Sequence, residues 1–416
     1  MTTPATTALP ALPLQASDLR GLARLGVDGT LGVTNLVEAM HHTIASRVGL
    51  TAKAPPGRTS GITGFVYGAV RGTTRALGGG LDAALRAFET PRPANAGSPE
   101  REAFVCALNG VWGDHLADSA NPLAIRMALR QGGVALDLSA KPLSLPQGAP
   151  SGKLLVLVHG LGMNDRQWTR RGHDHGLALA RQLGATPLYL LYNSGRHVSH
   201  NGRDFARLLQ QLVSQWPVPV AELLIVGHSM GGLVARSACD HAATEGQDWL
   251  KKLRQLVFLG TPHQGAPLER GGRWVDLLLG LSPYAAPFAR LSKARSAGIT
   301  DLRFGNLHDA DWCGRDRHTQ HRDDRRPVPL PDGVECYLLA ATLAERPGRV
   351  HRAVIGDGLV PLASALGEHH DRALALHVPA SHRRIVANCG HLDLLCHTQV
   401  QAQLAAWLAA PGAPRR

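Results

Sequence analysis

Gly227-His228-Ser229-Met230-Gly231 fits the pattern G-x-S-x-G, placed between the apolar run ELLIV and the helical pattern GLVARSACDHA. A serine hydroxyl becomes a useful nucleophile when a sharp strand-to-helix turn presents it to a carbonyl carbon and a base takes its proton. The flanking glycines are expected to let strand and helix approach closely around a strained serine backbone. Two downstream residues could complete the chemistry. Asp357 stands between glycines in GDGLVP, some fifteen residues after the apolar run ECYLLAAT, and His391 follows a glycine in CGHLDLL, ahead of the pattern QVQAQLAAWLAA. The chain order Ser, Asp, His is the one this architecture uses, with His391 as base and Asp357 orienting its imidazole.

Acyl transfer also needs two backbone N–H groups aimed at the developing oxyanion. One is expected from Met230, the residue after the nucleophile, and the other from Leu161, in the loop that follows the run KLLVLVHG. A dinucleotide-binding fingerprint is excluded at the same loop, because Asp165 stands where the third glycine would fall. His159 and His228 lie inside the motifs and are expected to shape the turns beside the substrate. His263 and Trp274 are candidates for lining the pocket. Asp393 is too near His391 in sequence to orient it, and Asp165 precedes the serine.

The elements that must position these residues are legible from residue 146 onward. Short apolar runs, KLLVLVHG, TPLYLLYN, ELLIVGHS, QLVFLGTP, ECYLLAAT and ALALHVPA, are separated mostly by helical patterns such as GLALARQLG and GRDFARLLQQLVSQW. That alternation predicts an α/β domain with a doubly wound, mostly parallel sheet and a ligand site beyond the carboxyl ends of its strands. About seventy residues separate LGTPHQGAP from ECYLLAAT, more than a crossover needs, so a helical cap is expected over about 266–332. Residues 1–145 read differently. Two long stretches with apolar residues at helical spacing and many small residues between them predict packed amphipathic helices, with a third around REAFVCALNGVWGDHLAD. The expected division is a helical segment over 1–145 and a hydrolase domain over 146–416.

Four passages, VHGLGMND, GHSMGGLVAR, LGTPHQGAPL and GDGLVP followed by GHLDLL, together resemble the lipase and esterase branch of the α/β-hydrolase superfamily. The resemblance includes lipid deacylases of the GPI inositol-deacylase type. It covers about residues 153–408 and implies the α/β-hydrolase fold, a Ser229-His391-Asp357 triad, Leu161 and Met230 as oxyanion donors, and no metal or cofactor. The helical first third matches nothing in that pattern.

Composition narrows the partners. The net charge is +12, which makes an anionic partner worth weighing. The arginines are scattered, with no compact basic run interleaved with aromatics, which argues against nucleic acid and leaves a lipid surface. The six cysteines form no CxxC pair and read as free thilols of a reducing compartment. The first residues lack a basic n-region, and no run of eighteen apolar residues occurs, so neither a signal peptide nor a spanning helix is expected. The reading is a cytoplasmic, membrane-peripheral ester hydrolase acting on a lipid-like substrate. Acyl transfer, thioester hydrolysis and a non-catalytic interaction protein on the same fold are its alternatives.

Overall fold

A computed structural model describes residues 14–47, 57–88, 98–266, 296–316, 323–345 and 356–410. The chain falls into two compact units, residues 1–93 with 119–123, and residues 94–118 with 124–416. The first unit holds helices α1 (Ala16–Arg47) and α2 (Gly61–Ala87). They run antiparallel. Arg24 pairs with Asp82 at 2.5 Å, and Glu38, almost fully buried, pairs with Arg58 at 3.1 Å and with Arg71.

The second unit holds α3 (Pro99–Asp118) and an eight-stranded sheet in the order β10-β9-β8-β7-β3-β6-β1-β2. Its strands are β1 (Ala128–Gln131), β2 (Val134–Ala135), β3 (Lys153–Val158), β6 (Thr186–Leu191), β7 (Glu222–His228), β8 (Leu253–Leu259), β9 (Glu335–Ala341) and β10 (Arg383–Val386). From β10 to β6 every pairing is parallel, whereas β1 joins β6, and β2 joins β1, in the antiparallel sense. A separate small ribbon pairs β4 (Thr169–Arg170) with β5 (His173–Asp174). This is the mostly parallel, helix-flanked sheet of an α/β-hydrolase fold.

The near-continuous apolar strands are explained by burial on both faces. In β3, Leu154, Val156 and Val158 pack with Phe205 and Leu209 of α5 (Val198–Gln215) and Leu233 and Val234 of α6 (Met230–Glu245). Leu155 and Leu157 point the other way, into a cluster with Leu179 of α4 (His175–Leu183) and Leu404 and Trp407 of the last helix. The remaining helices are α7 (Trp249–Lys252), α8 (Ala297–Phe304), α9 (Leu362–Ala365) and α10 (Thr398–Ala409). Local chemistry sets the ends of α4. The Asp174 side chain accepts from the Leu177 N–H, and Gly184 closes the helix at φ 64°.

Two local expectations fail. ALALHVPA forms no strand, and the strand near it is RRIV, at the sheet edge. Residues 128–135, read as part of a helical region, form a hairpin turning through Gly132 and Gly133, both at positive φ. Of the expected cap, residues 267–295, including Trp274, lie outside the described residues. Among the described residues no helix is long and apolar enough to cross a membrane.

Candidate active site

β7 ends at His228 and α6 begins at Met230, so Ser229 alone makes the turn between them. Its backbone sits at φ 55°, ψ −124°, a region that a residue with a Cβ occupies only under strain. The glycines explain how the turn closes. A Cβ on Gly231 would stand 2.2 Å from the Val158 carbonyl oxygen, and one on Gly227 would stand 2.6 Å from the Gly232 Cα. No side chain fits at either point. Ser229 is buried, and its Oγ has no hydrogen-bond partner among the described residues. The start of the sixteen-residue α6 adds its free backbone N–H groups and positive dipole end to this corner.

Asp357 and His391 are joined directly. His391 Nδ1 donates to Asp357 Oδ2 at 2.7 Å, and both side chains are almost fully buried. The other carboxylate oxygen accepts from the backbone N–H groups of Leu359 and Val360 at 3.0 and 2.8 Å, which fixes the carboxylate plane. The His391 backbone N–H donates to the Asp357 carbonyl at 3.0 Å. The loops that follow β9 and β10 are thus tied together at their tips.

The Ser229 corner and the Asp357–His391 pair meet at Leu259-Gly260. The Ser229 N–H donates to the Leu259 carbonyl at 2.8 Å. Gly260, at φ +57°, leaves room for the pair, since a Cβ there would lie 3.1 Å from Asp357 Oδ2 and 3.3 Å from His391 Nδ1. His228 completes the link. Its Nε2 donates to the His391 carbonyl at 3.1 Å, and the two rings stand 4.7 Å apart. The loop after β3 backs onto the serine, where a Cβ on Gly160 would lie 3.1 Å from Ser229 Cβ. That loop carries Leu161, whose side chain is buried in the core, as is that of Met230. Its shape is held by Ser194 Oγ accepting from the Gly162 N–H at 2.8 Å and by the Tyr192 hydroxyl donating to the His159 carbonyl at 2.8 Å.

The other candidate histidines are all buried. His159 stacks on Tyr192 with centroids 4.4 Å apart, and burial pushes it down to about 4. Burial, reinforced by the neighbouring His391, holds His228 well below the ordinary histidine range. His263 lies edge-on to Phe258, its Nδ1 3.3 Å from Arg236 Nη1, and burial followed by the Arg236 charge depresses it as well. It lines a small cavity with Arg236, Asp311, Arg325 and Arg326. The aspartates set aside, Asp165 on chain order and Asp393 for its nearness to His391, are engaged with arginines, Asp165 with Arg130 at 2.8 Å and Asp393 with Arg171 at 3.1 Å. Tyr192, Ser194 and Gly260 were not singled out in the sequence. Gly260 ends a strand run as Gly160 does, and that signal could have found it. Tyr192 and Ser194 carry none. Among the described residues no group of histidine, cysteine and acidic side chains could hold a metal ion.

Comparison with known proteins adds the following. Residues 135–300 match the family model DUF7379, a domain of unknown function. No curated protein matches the sequence. Among solved structures, the mature Bacillus licheniformis lipase BlEst2 is similar at 17% identity and a TM-score of 0.42, over 64% of this chain and 96% of that one. A thermophilic esterase from Thermogutta terrifontis is similar at 14% identity and a TM-score of 0.33, over 62% and 90%. The ester hydrolase EH1AB1 from the metagenome of Lake Arreo is similar at 14% identity and a TM-score of 0.37, over 80% and 96%.

Proposed function

We propose that the protein is a serine hydrolase that cleaves carboxylic esters through an acyl-serine intermediate. The observation that carries this reading is the buried Asp357–His391 pair, tied through Leu259-Gly260 to a strained serine at a strand–helix turn. In the proposed mechanism His391 Nε2 takes the proton of Ser229 Oγ as the Oγ–carbon bond forms. The carbonyl oxygen becomes an oxyanion, held by the backbone N–H groups of Leu161 and Met230. His391 then returns the proton to the alkoxide leaving group as the carbon–oxygen bond breaks. Water, activated by the same imidazole, releases the acid and frees the serine. Asp357 keeps the imidazole in the Nδ1–H tautomer and stabilises the imidazolium as it forms.

A lipid-like ester is the proposed substrate class. The basic net charge suits an anionic surface, and the sequence over 272–299 alternates apolar and basic residues at helical spacing, as a cap with an acyl-binding inner face would. The resemblance of the four motif passages to lipid deacylases points the same way. In this reading His159 and His228, held neutral by burial, shape the turns without adding cations beside the base. His263 and Trp274 are proposed pocket residues, and the proposed setting is cytoplasmic, at a membrane surface, with no metal or cofactor. The test is a series of p-nitrophenyl esters of increasing acyl length, assayed with wild type and Ser229→Ala. The reading expects turnover that rises with chain length and vanishes in the variant. Wild-type turnover in Ser229→Ala would remove the nucleophile assignment, and a preference for acetate would remove the lipid-like substrate alone.

A further inference from the structure

The two-helix unit carries nearly all the exposed large hydrophobic side chains of the described residues. Of fourteen large hydrophobic side chains exposed in the described residues, twelve lie between Leu19 and Phe88, among them Val33 at 62% and Leu77 at 71% exposure. Their spacing is informative. In α1, Gly26, Thr30, Val33, Val37 and Met40 follow one another at intervals of four and three. In α2, Val66, Val70, Thr73, Leu77, Gly80 and Ala84 do the same. All eleven are exposed and none is charged. This 3.5-residue repeat is the seam along which one helix packs on another.

The inner faces are already occupied. α1 meets α2 through Arg24 on Asp82, Val27 on Gly78, Glu38 on Arg71 and His41 on Tyr67. Outer positions 26, 37 and 40 each precede an inner position by one residue, and so do 66, 70 and 77. One residue is about 100° of rotation. Because the helices are antiparallel, the same rotation carries both outer seams to the same side, which makes one continuous two-helix face. Gly26 and Gly80 sit within it with nothing inside 4 Å of a built Cβ. Bare backbone at a seam position lets another helix approach closely, whereas a helix resting on lipid anchors itself with bulky side chains. Between Val66 and Ala84 on α2, and between Gly26 and Met40 on α1, the face is about 20–27 Å long at 1.5 Å per residue and about 20 Å wide for two helices. That is on the order of 500 Å² per partner and about 1,000 Å² in all, which reaches the lower bound for a specific interface.

We infer that this face pairs with the same face of a second copy of the chain, closing a four-helix bundle from two α1–α2 hairpins about a two-fold axis. A face with two antiparallel seams is self-complementary under that symmetry, and closure leaves no seam open.

The test is sedimentation of the full chain at tens of micromolar, with the double variant Val70→Glu, Leu77→Glu and, as control, Leu177→Glu, which alters an exposed apolar residue on α4. Far-UV circular dichroism checks that helix content is kept, since glutamate suits a helix. The expected result is twice the 44.3 kDa chain mass for wild type and control, and a monomer for the double variant. A monomeric wild type, or a dimer that survives both glutamates, overturns the inference. So does a monomeric wild type that co-sediments with phosphatidylglycerol vesicles while the double variant does not, which would assign the face to lipid.

Discussion

Removing the hydroxyl of Ser229 should make the protein more stable while abolishing its activity. The Oγ is buried without a partner among the described residues, and an unsatisfied buried hydroxyl costs about 1–3 kcal/mol. Ser229→Ala removes that cost but keeps a Cβ at φ 55°, ψ −124°, where backbone strain is worth roughly 1–3 kcal/mol. Ser229→Gly removes the strain too, at an entropic cost of about 0.5–1 kcal/mol. The expected order of stability is glycine above alanine above serine, with alanine about 1–2 kcal/mol above wild type and glycine up to about 2 kcal/mol higher still. For 416 residues 1 kcal/mol moves Tm by only about 1 °C, a step that calorimetry resolves in replicate scans, and ester turnover reports the loss of function in parallel. A less stable alanine variant would show that the hydroxyl is satisfied in the native state. A glycine variant below alanine would show that the turn is unstrained, and the trade of stability for nucleophile position would be gone.

Gly231→Ala places a Cβ 2.2 Å from the Val158 carbonyl oxygen and 2.6 Å from that of His159, and backbone cannot yield as a side chain can. A loss of roughly 3 kcal/mol or more is expected in urea unfolding, and unchanged stability would mean that the elbow is looser than its geometry. Asp357→Asn should lower kcat by about 10⁴ by favouring the wrong tautomer of His391, with the Leu359 and Val360 N–H groups still satisfied by the amide oxygen; a loss under tenfold would remove Asp357 from the triad. Stability should also depend on pH through the buried histidines. His159 lies at about 4 when folded against 6.5 when unfolded, so between those values the unfolded chain binds more protons. Its contribution is full above 6.5 and is lost as the pH falls through about 4, at about 1.4 kcal/mol per pH unit. His228 and His263 shift in the same direction, and a Tm that stays flat from pH 7 to pH 4.5 would contradict all three.

The sequence was most readable where one residue type has one physical solution. A serine between glycines, after ELLIV and before GLVARSAC, admits few structures other than the turn at Ser229, and the run KLLVLV could be buried on both faces only in a covered parallel sheet. Asp357 and His391 were legible for a different reason: each follows a glycine in a loop after an apolar run, in the required order. The edge of the sheet was harder. β10 reads RRIV because only its last residue is fully buried, so it lacks the apolar run that marks β3 or β7, and the more apolar ALALHVPA drew the assignment away from it. The hairpin at 128–135 carried a usable signal, Gly132-Gly133 between short runs, hidden by the helical patterns before it. Tyr192 and Ser194 act through hydrogen bonds to the loop after β3 that only the folded chain brings within reach.

The central claim is that Ser229 is a nucleophile activated by the His391–Asp357 pair. Intact-mass and peptide mass spectrometry after treatment with a fluorophosphonate ester test it most directly. The account predicts one phosphonyl group per chain, on Ser229, with labelling lost in Ser229→Ala and slowed by orders of magnitude in His391→Ala. A wild-type chain that stays unlabelled while it hydrolyses p-nitrophenyl esters, or one labelled at another residue with Ser229 intact, would contradict it.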